Sequence, residues 1–149
     1  MANVAYPNRA YQTTEAATAD PRHLVVLLFD GMVRYLHRAR EAMARGDHEA
    51  QCQSILRTQK ILSALATALD EDVEPLFARR LFALYNWLHG KLTEASVGDD
   101  LALLEEVAGI VTAQRDAWRQ AEANCRSEDS LKTPVVSPLV AGGRLRNAA

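Results

Sequence analysis

What this sequence lacks narrows the possibilities quickly. It has two cysteines, Cys52 and Cys125, both inside helical patterns rather than in short loops. A disulfide framework is therefore excluded, and reduced thiols of a cytoplasmic protein are the simpler reading. No apolar run approaches the ~18 residues that a membrane-spanning helix needs. The formal net charge of −2 lacks the one-sided excess expected of a surface built for nucleic acid or anionic membrane. The first twenty residues, MANVAYPNRAYQTTEAATAD, have neither the basic n-region nor the apolar h-region of a secretory signal. Strand pairs and a glycine-rich phosphate loop are missing as well. At 149 residues with 48% hydrophobic content, one domain can still bury a sizeable core without metal or disulfides.

Catalytic chemistry is also hard to find. A di-iron bundle needs Glu-x-x-His pairs facing inward from two helices. The residues three before His23, His37, His48 and His89 are Asp20, Arg34, Arg45 and Asn86, so the pattern is absent. His48 and Cys52 share a helix face at i, i+4, which is half of a zinc site, but no second pair completes it. No local signature marks a nucleophile. The expectation is a protein without cofactor, metal or enzymatic activity.

What the chain does have is helical periodicity. Asp20-Pro21 reads as an aspartate cap followed by a proline at the first helical position. From there Val25, Leu28, Phe29, Met32, Leu36, Ala39 and Met43 form one stripe, with Gly46 as a left-handed stop after Arg45. Asp47 opens a second helix to about Leu69, its stripe expected along Cys52, Ile55, Leu56, Gln59, Leu62, Leu65, Ala66 and Leu69. Asp70-Glu71-Asp72 breaks the pattern and Pro75 opens a third helix along Phe77, Leu81, Leu84, Tyr85, Leu88, Leu92 and Ala95. Ser96–Asp99 is a turn. A fourth helix begins at Asp99 or Asp100 and runs to about Asn124 through Leu104, Val107, Ile110, Val111, Gln114, Trp118, Ala121 and Cys125. Matched helices with short connections predict an all-α, antiparallel up-down four-helix bundle over residues 21–127. Residues 1–20 would be a flexible N-terminal segment. Residues 128–149, with two prolines, two glycines and no period, would be a flexible tail.

These helices hold more apolar surface than one inner seam consumes. Leu24–Phe29 is six apolar residues in a row, which goes all the way round a helix. Leu76, Phe82 and Trp87 fall off the stripe of the third helix, and Leu101, Leu103 and Ala117 off that of the fourth. An external groove for an amphipathic segment would use this surplus. Gly31, Gly90 and Gly109, inside helices at a cost of about 1 kcal/mol each against alanine, are either tolerated or form a shallow trough. Asp30 either faces solvent or bonds a partner or Arg34; Gln59 either satisfies a neighbour or reads a partner's backbone. Tyr85 and Trp118, each with a polar atom to satisfy, suit a groove edge, with plain core packing as the alternative.

A family resemblance runs through the chain in order. Tyr6-Pro7 and Tyr11, DPRHLVVLLFDGMVRYLHRA (Asp20–Ala39), Gln59-Lys60-Ile61-Leu62 with Leu65 and Leu69-Asp70, LFALYNWLHGKLTEAS (Leu81–Ser96) and Arg115-Asp116-Ala117-Trp118 together resemble the flagellar export chaperone family FliS. Asn86 and Ser96 stand where that family commonly has an acidic residue and an asparagine. The resemblance implies a helical bundle in the cytoplasm that holds the C-terminal segment of flagellin, blocks premature polymerisation and delivers the subunit to the flagellar type III export apparatus. A second flagellar regulator is a further implied partner, and the N-terminal segment is implied to lie over part of the partner's site. The candidate contact residues are therefore Tyr6, Tyr11, Leu24, Leu27, Leu28, Asp30, Gly31, Gln59, Leu84, Tyr85, Leu88 and Trp118. The expected state is a monomer or weak dimer. The alternative reading is a bundle that self-associates through the same apolar surplus.

Overall fold

The computed structural model describes residues 20–130, with side chains through Glu128. Four helices follow one another: α1 (Pro21–Arg45), α2 (His48–Ala68), α3 (Pro75–Val97) and α4 (Leu101–Ser130). Among the described residues there is no strand. Tyr6 and Tyr11, and the tail beyond Ser130, lie outside the described residues.

Each boundary has a local cause. The Asp20 carboxylate accepts the Arg22 backbone N–H at 2.9 Å, and Pro21 needs no acceptor for the N–H it lacks. Gly46, at φ 75°, ends α1. There the Gly46 N–H bonds the Met43 carbonyl at 3.2 Å and the Asp47 N–H reaches back to Ala42 at 2.9 Å, the paired pattern of a Schellman motif. Asp47 then caps α2 through the Ala50 N–H at 3.1 Å, and Asp100 caps α4 through the Leu103 N–H at 3.0 Å. Asp99 takes a left-handed conformation at φ 47°, which aspartate tolerates better than most residues. Nothing comparable stops α4 near Asn124, so the helix continues to Ser130 and its last turn takes in residues assigned above to the tail.

The register of contacts makes the bundle antiparallel. Gly31 faces Ile61 and Tyr35 faces Arg57, tying α1 to α2. His23 meets Glu122 at 2.9 Å, Asp30 meets Arg119 at 2.8 Å and Arg40 meets Glu105 at 3.2 Å, tying α1 to α4. Gln59 donates to the His89 carbonyl at 3.0 Å and to Thr93 Oγ1 at 2.8 Å, and Gln51 Nε2 to the Ser96 carbonyl at 3.4 Å, tying α2 to α3. In every pair one number rises as the other falls. α1 thus packs between α2 and α4, and α3 closes the square; its seam with α4 is the thinnest of the four.

Phe29, Met32, Leu36, Leu62, Leu88, Leu92, Leu104, Val107 and Val111 are fully buried at the centre. The expected face of α2 requires correction. Cys52 and Leu56 are exposed, whereas Gln51, Ser54, Thr58 and Ala68 are buried. The helix can present this face because polar donors on it are matched: Thr58 Oγ1 donates to the Ser54 carbonyl at 3.1 Å, and Gln51 Nε2 to Asp99 Oδ1 at 2.9 Å. Phe77 also departs from the expected stripe and is exposed at the start of α3.

Candidate functional site

The side chains that project from the bundle concentrate on α3. Leu76 is 62% exposed, Trp87 42%, and Phe77 and Phe82 are similarly open. His89 and Thr93 mark the flank of α3 that meets α2. At 100° per residue, Leu84, Trp87 and Lys91 fall on the opposite flank, toward α4. On α4, Arg115 and Arg119 mark the flank that meets α1. The opposite flank, toward α3, carries Ile110, Ala113, Ala117 and Ala121. The α3–α4 seam therefore sets Leu84 and Trp87 beside Ile110, Ala113, Ala117 and Ala121, and this apolar strip is the candidate trough. Lys91 lies over the Trp87 ring at 5.9 Å and pairs with Glu94 at 2.9 Å, which orients the indole at the trough's rim. On the other side of α3, Phe82 and Leu56 flank the seam with α2.

The candidate contact residues divide into two groups. Leu27 is 48% exposed, while Leu24, Leu28 and Leu84 are half-buried, the last two packed against the core. Tyr85, Leu88 and Trp118 are core residues and do not form a groove edge. Tyr85 is 2% and Trp118 7% exposed, and both rings pack on Phe29 at centroid distances of 6.4 and 6.5 Å. Three aromatics from α1, α3 and α4 meet at the bundle axis, and burial holds the Tyr85 hydroxyl above its ordinary pKa. Gly31 is buried against Ile61, and Gln59 is occupied by α3. Asp30 bonds Arg119 and lies 3.8 Å from Arg115, on α4 rather than Arg34.

Gly90 and Gly109 have nothing within 4 Å of where a Cβ would sit, so neither serves a close approach between helices. Sequence reasoning marked Leu76, Phe82 and Trp87 as surplus but did not place them among the contact residues. Their signal was large apolar groups off the buried stripe. Among the described residues no cluster of three His, Cys, Asp or Glu side chains could hold a metal. His48 faces Asp99 at 3.5 Å and Cys52 faces Ser96 at 3.9 Å. No helix of the described residues is long and apolar enough to cross a membrane.

This arrangement is a helical scaffold: a closed aromatic core with exposed large apolar side chains concentrated on α3. The chain matches the family described as Flagellar protein FliS over residues 1–125. It is 31% identical over 115 residues to the flagellar secretion chaperone FliS of Bacillus subtilis, covering 77% of this chain and 85% of that protein. It is 29% identical to the Salmonella typhimurium chaperone of the same name, covering 76% and 84%. The Escherichia coli chaperone is also 29% identical, with 69% and 76% covered. The chain belongs to the FliS family of flagellar secretion chaperones.

Proposed function

We propose that this chain binds the C-terminal segment of flagellin in the cytoplasm, prevents its premature polymerisation and passes the subunit to the flagellar export apparatus. The observation that supports this reading is the exposed apolar surface on α3, with Trp87 at the candidate trough along the α3–α4 seam. An amphipathic helix laid along it would cover Leu84 and Trp87 while approaching closely over Ala113, Ala117 and Ala121. A segment that polymerises through its own apolar positions loses them to such a cover. Because it must order on binding, affinity stays moderate despite a large interface. Release then needs a competing surface and no chemical energy. Tyr6 and Tyr11 would serve as a displaceable cover over part of the same surface.

Calorimetry of the folded protein with a flagellin C-terminal peptide tests the proposal. One-to-one binding, roughly micromolar to nanomolar, is expected. Absence of heat and of any complex would overturn it. Self-association through the same trough would instead give a stable dimer by light scattering at low concentration with no peptide affinity.

A further inference from the structure

On the far side of the molecule, α1 carries an arginine-rich ridge that the trough does not use. Arg34, His37, Arg38 and Glu41 project along it, and a cleft opens on each flank. Toward α4, a cleft of about 470 Å³ is floored by Val33, Ala108 and Thr112, with Arg34, Arg38, Arg40, His37 and Glu41 at its edges. Toward α2, a cleft of about 220 Å³ is bordered by Arg38, Arg45 and Arg57 with Glu41 and Ser54. Five guanidiniums line these two clefts and Glu41 is the one carboxylate among the lining residues, in a chain whose net charge is negative.

Two of those arginines are already neutralised, Arg40 by Glu105 and Arg45 by Asp47. Glu41 pairs with His37 at 3.3 Å. Arg38 and Arg57 are instead positioned over the Tyr35 ring, at 5.8 and 5.6 Å from its centroid. An aromatic face holds a guanidinium in place without neutralising it and leaves its N–H edge free for a carboxylate. Arg34 stands one helical turn before Arg38, so their Cβ atoms lie about 6 Å apart on one face. Pre-ordered cations beside an apolar floor are complementary to an acidic, amphipathic peptide.

We propose that the α1 ridge is a second docking surface, separate from the α3–α4 trough. Its occupant is an acidic peptide segment of a partner protein. Carboxylates of that segment take the Arg34 and Arg38 guanidiniums, with Arg57 on the α2 side, and an apolar side chain enters the cleft over Val33 and Ala108. Loaded chaperone can then engage a second protein without giving up its client.

The test uses the full chain and a fluorescent helical peptide carrying glutamates on one face and leucines at i, i+4 on the other. Anisotropy is read at 50 and 300 mM NaCl. Binding should weaken at least tenfold at the higher salt and at least tenfold in the variant Arg34→Glu/Arg38→Glu. It should be unchanged in Arg79→Glu/Arg80→Glu, which alters net charge equally at the start of α3. Circular dichroism establishes that each variant is folded, and an unchanged affinity for the flagellin peptide separates this site from the trough. Equal weakening by both charge reversals, or no binding by the peptide at millimolar concentration, overturns the proposal. So does binding of phosphatidylglycerol vesicles with none of the peptide.

Discussion

The two tryptophans should respond to truncation in opposite ways. Trp118 lies on α4 with its ring against Phe29 and 7% of its surface exposed. Trp118→Ala removes a large core side chain, which typically costs 3–5 kcal/mol, a substantial fraction of the roughly 5–15 kcal/mol by which single domains are stable. Trp87 is 42% exposed at the trough's rim. With an aromatic side chain burying up to about 250 Å² when fully covered, some 100 Å² of indole is left for a partner. At about 25 cal/mol per Å², that area is worth at most ~2.5 kcal/mol in binding, and half coverage gives ~1.3 kcal/mol. Because ~1.4 kcal/mol corresponds to a factor of ten, Trp87→Ala should weaken flagellin-peptide binding by roughly 10- to 60-fold. Its stability should fall by little more than about 1 kcal/mol, since much of the ring is already in solvent. Urea unfolding followed by circular dichroism gives the first quantity, and calorimetry at a temperature where both variants are folded gives the second. A Trp118→Ala protein destabilised by less than ~1 kcal/mol would refute the core assignment. An unchanged peptide affinity in Trp87→Ala would refute the placement of the trough.

Glycine substitutions should separate according to backbone conformation. Gly90→Ala and Gly109→Ala, with open space around each Cβ, should stabilise the bundle by about 0.5–1 kcal/mol each in urea unfolding, whereas Gly46→Ala, at φ 75°, should destabilise it by about 1 kcal/mol. Acid sensitivity should trace in part to the helix caps. The Asp20 carboxyl is held below its ordinary range chiefly by the Arg22 side chain, and that of Asp47 chiefly by the Ala50 N–H. A depressed folded-state pKa contributes stability above the unfolded value near 4 and loses it as pH falls through the folded value. Asp20→Asn/Asp47→Asn should therefore lose less stability between about pH 4 and pH 2 than the parent, as urea midpoints across that range would reveal.

The helix limits are the part of this fold most legible in sequence, because their causes lie within a few residues. Asp20-Pro21, Gly46-Asp47, Pro75 and Asp100 each act through a cap, a missing N–H or a left-handed turn. The limit misjudged most, the end of α4, is one without such a signal; α3 likewise runs on through Ser96 and Val97, which the sequence pattern assigns to the turn. The inner face of α2 was less legible. Hydrophobicity pointed to Cys52 and Leu56, but Thr58 satisfies its hydroxyl on its own helix and Gln51 reaches a residue 48 positions away, so polar groups occupy the core side. The same difficulty applies to Tyr85 and Trp118. Their spacing put them on inner stripes, while the polar atom on each ring suggested an edge; only the packing around Phe29 decides between the two. Asp30 illustrates the limit of local reading most directly, since its partner Arg119 lies 89 residues further along.

The polar ties described for this bundle are unevenly shared. Those that fix the body of α4 go to α1 through Asp30, His23 and Arg40, and those that fix the body of α3 go to α2 through Gln59. The molecule is thus two laced halves meeting along an unlaced edge. Opening of the bundle along that edge would leave all of these bonds intact.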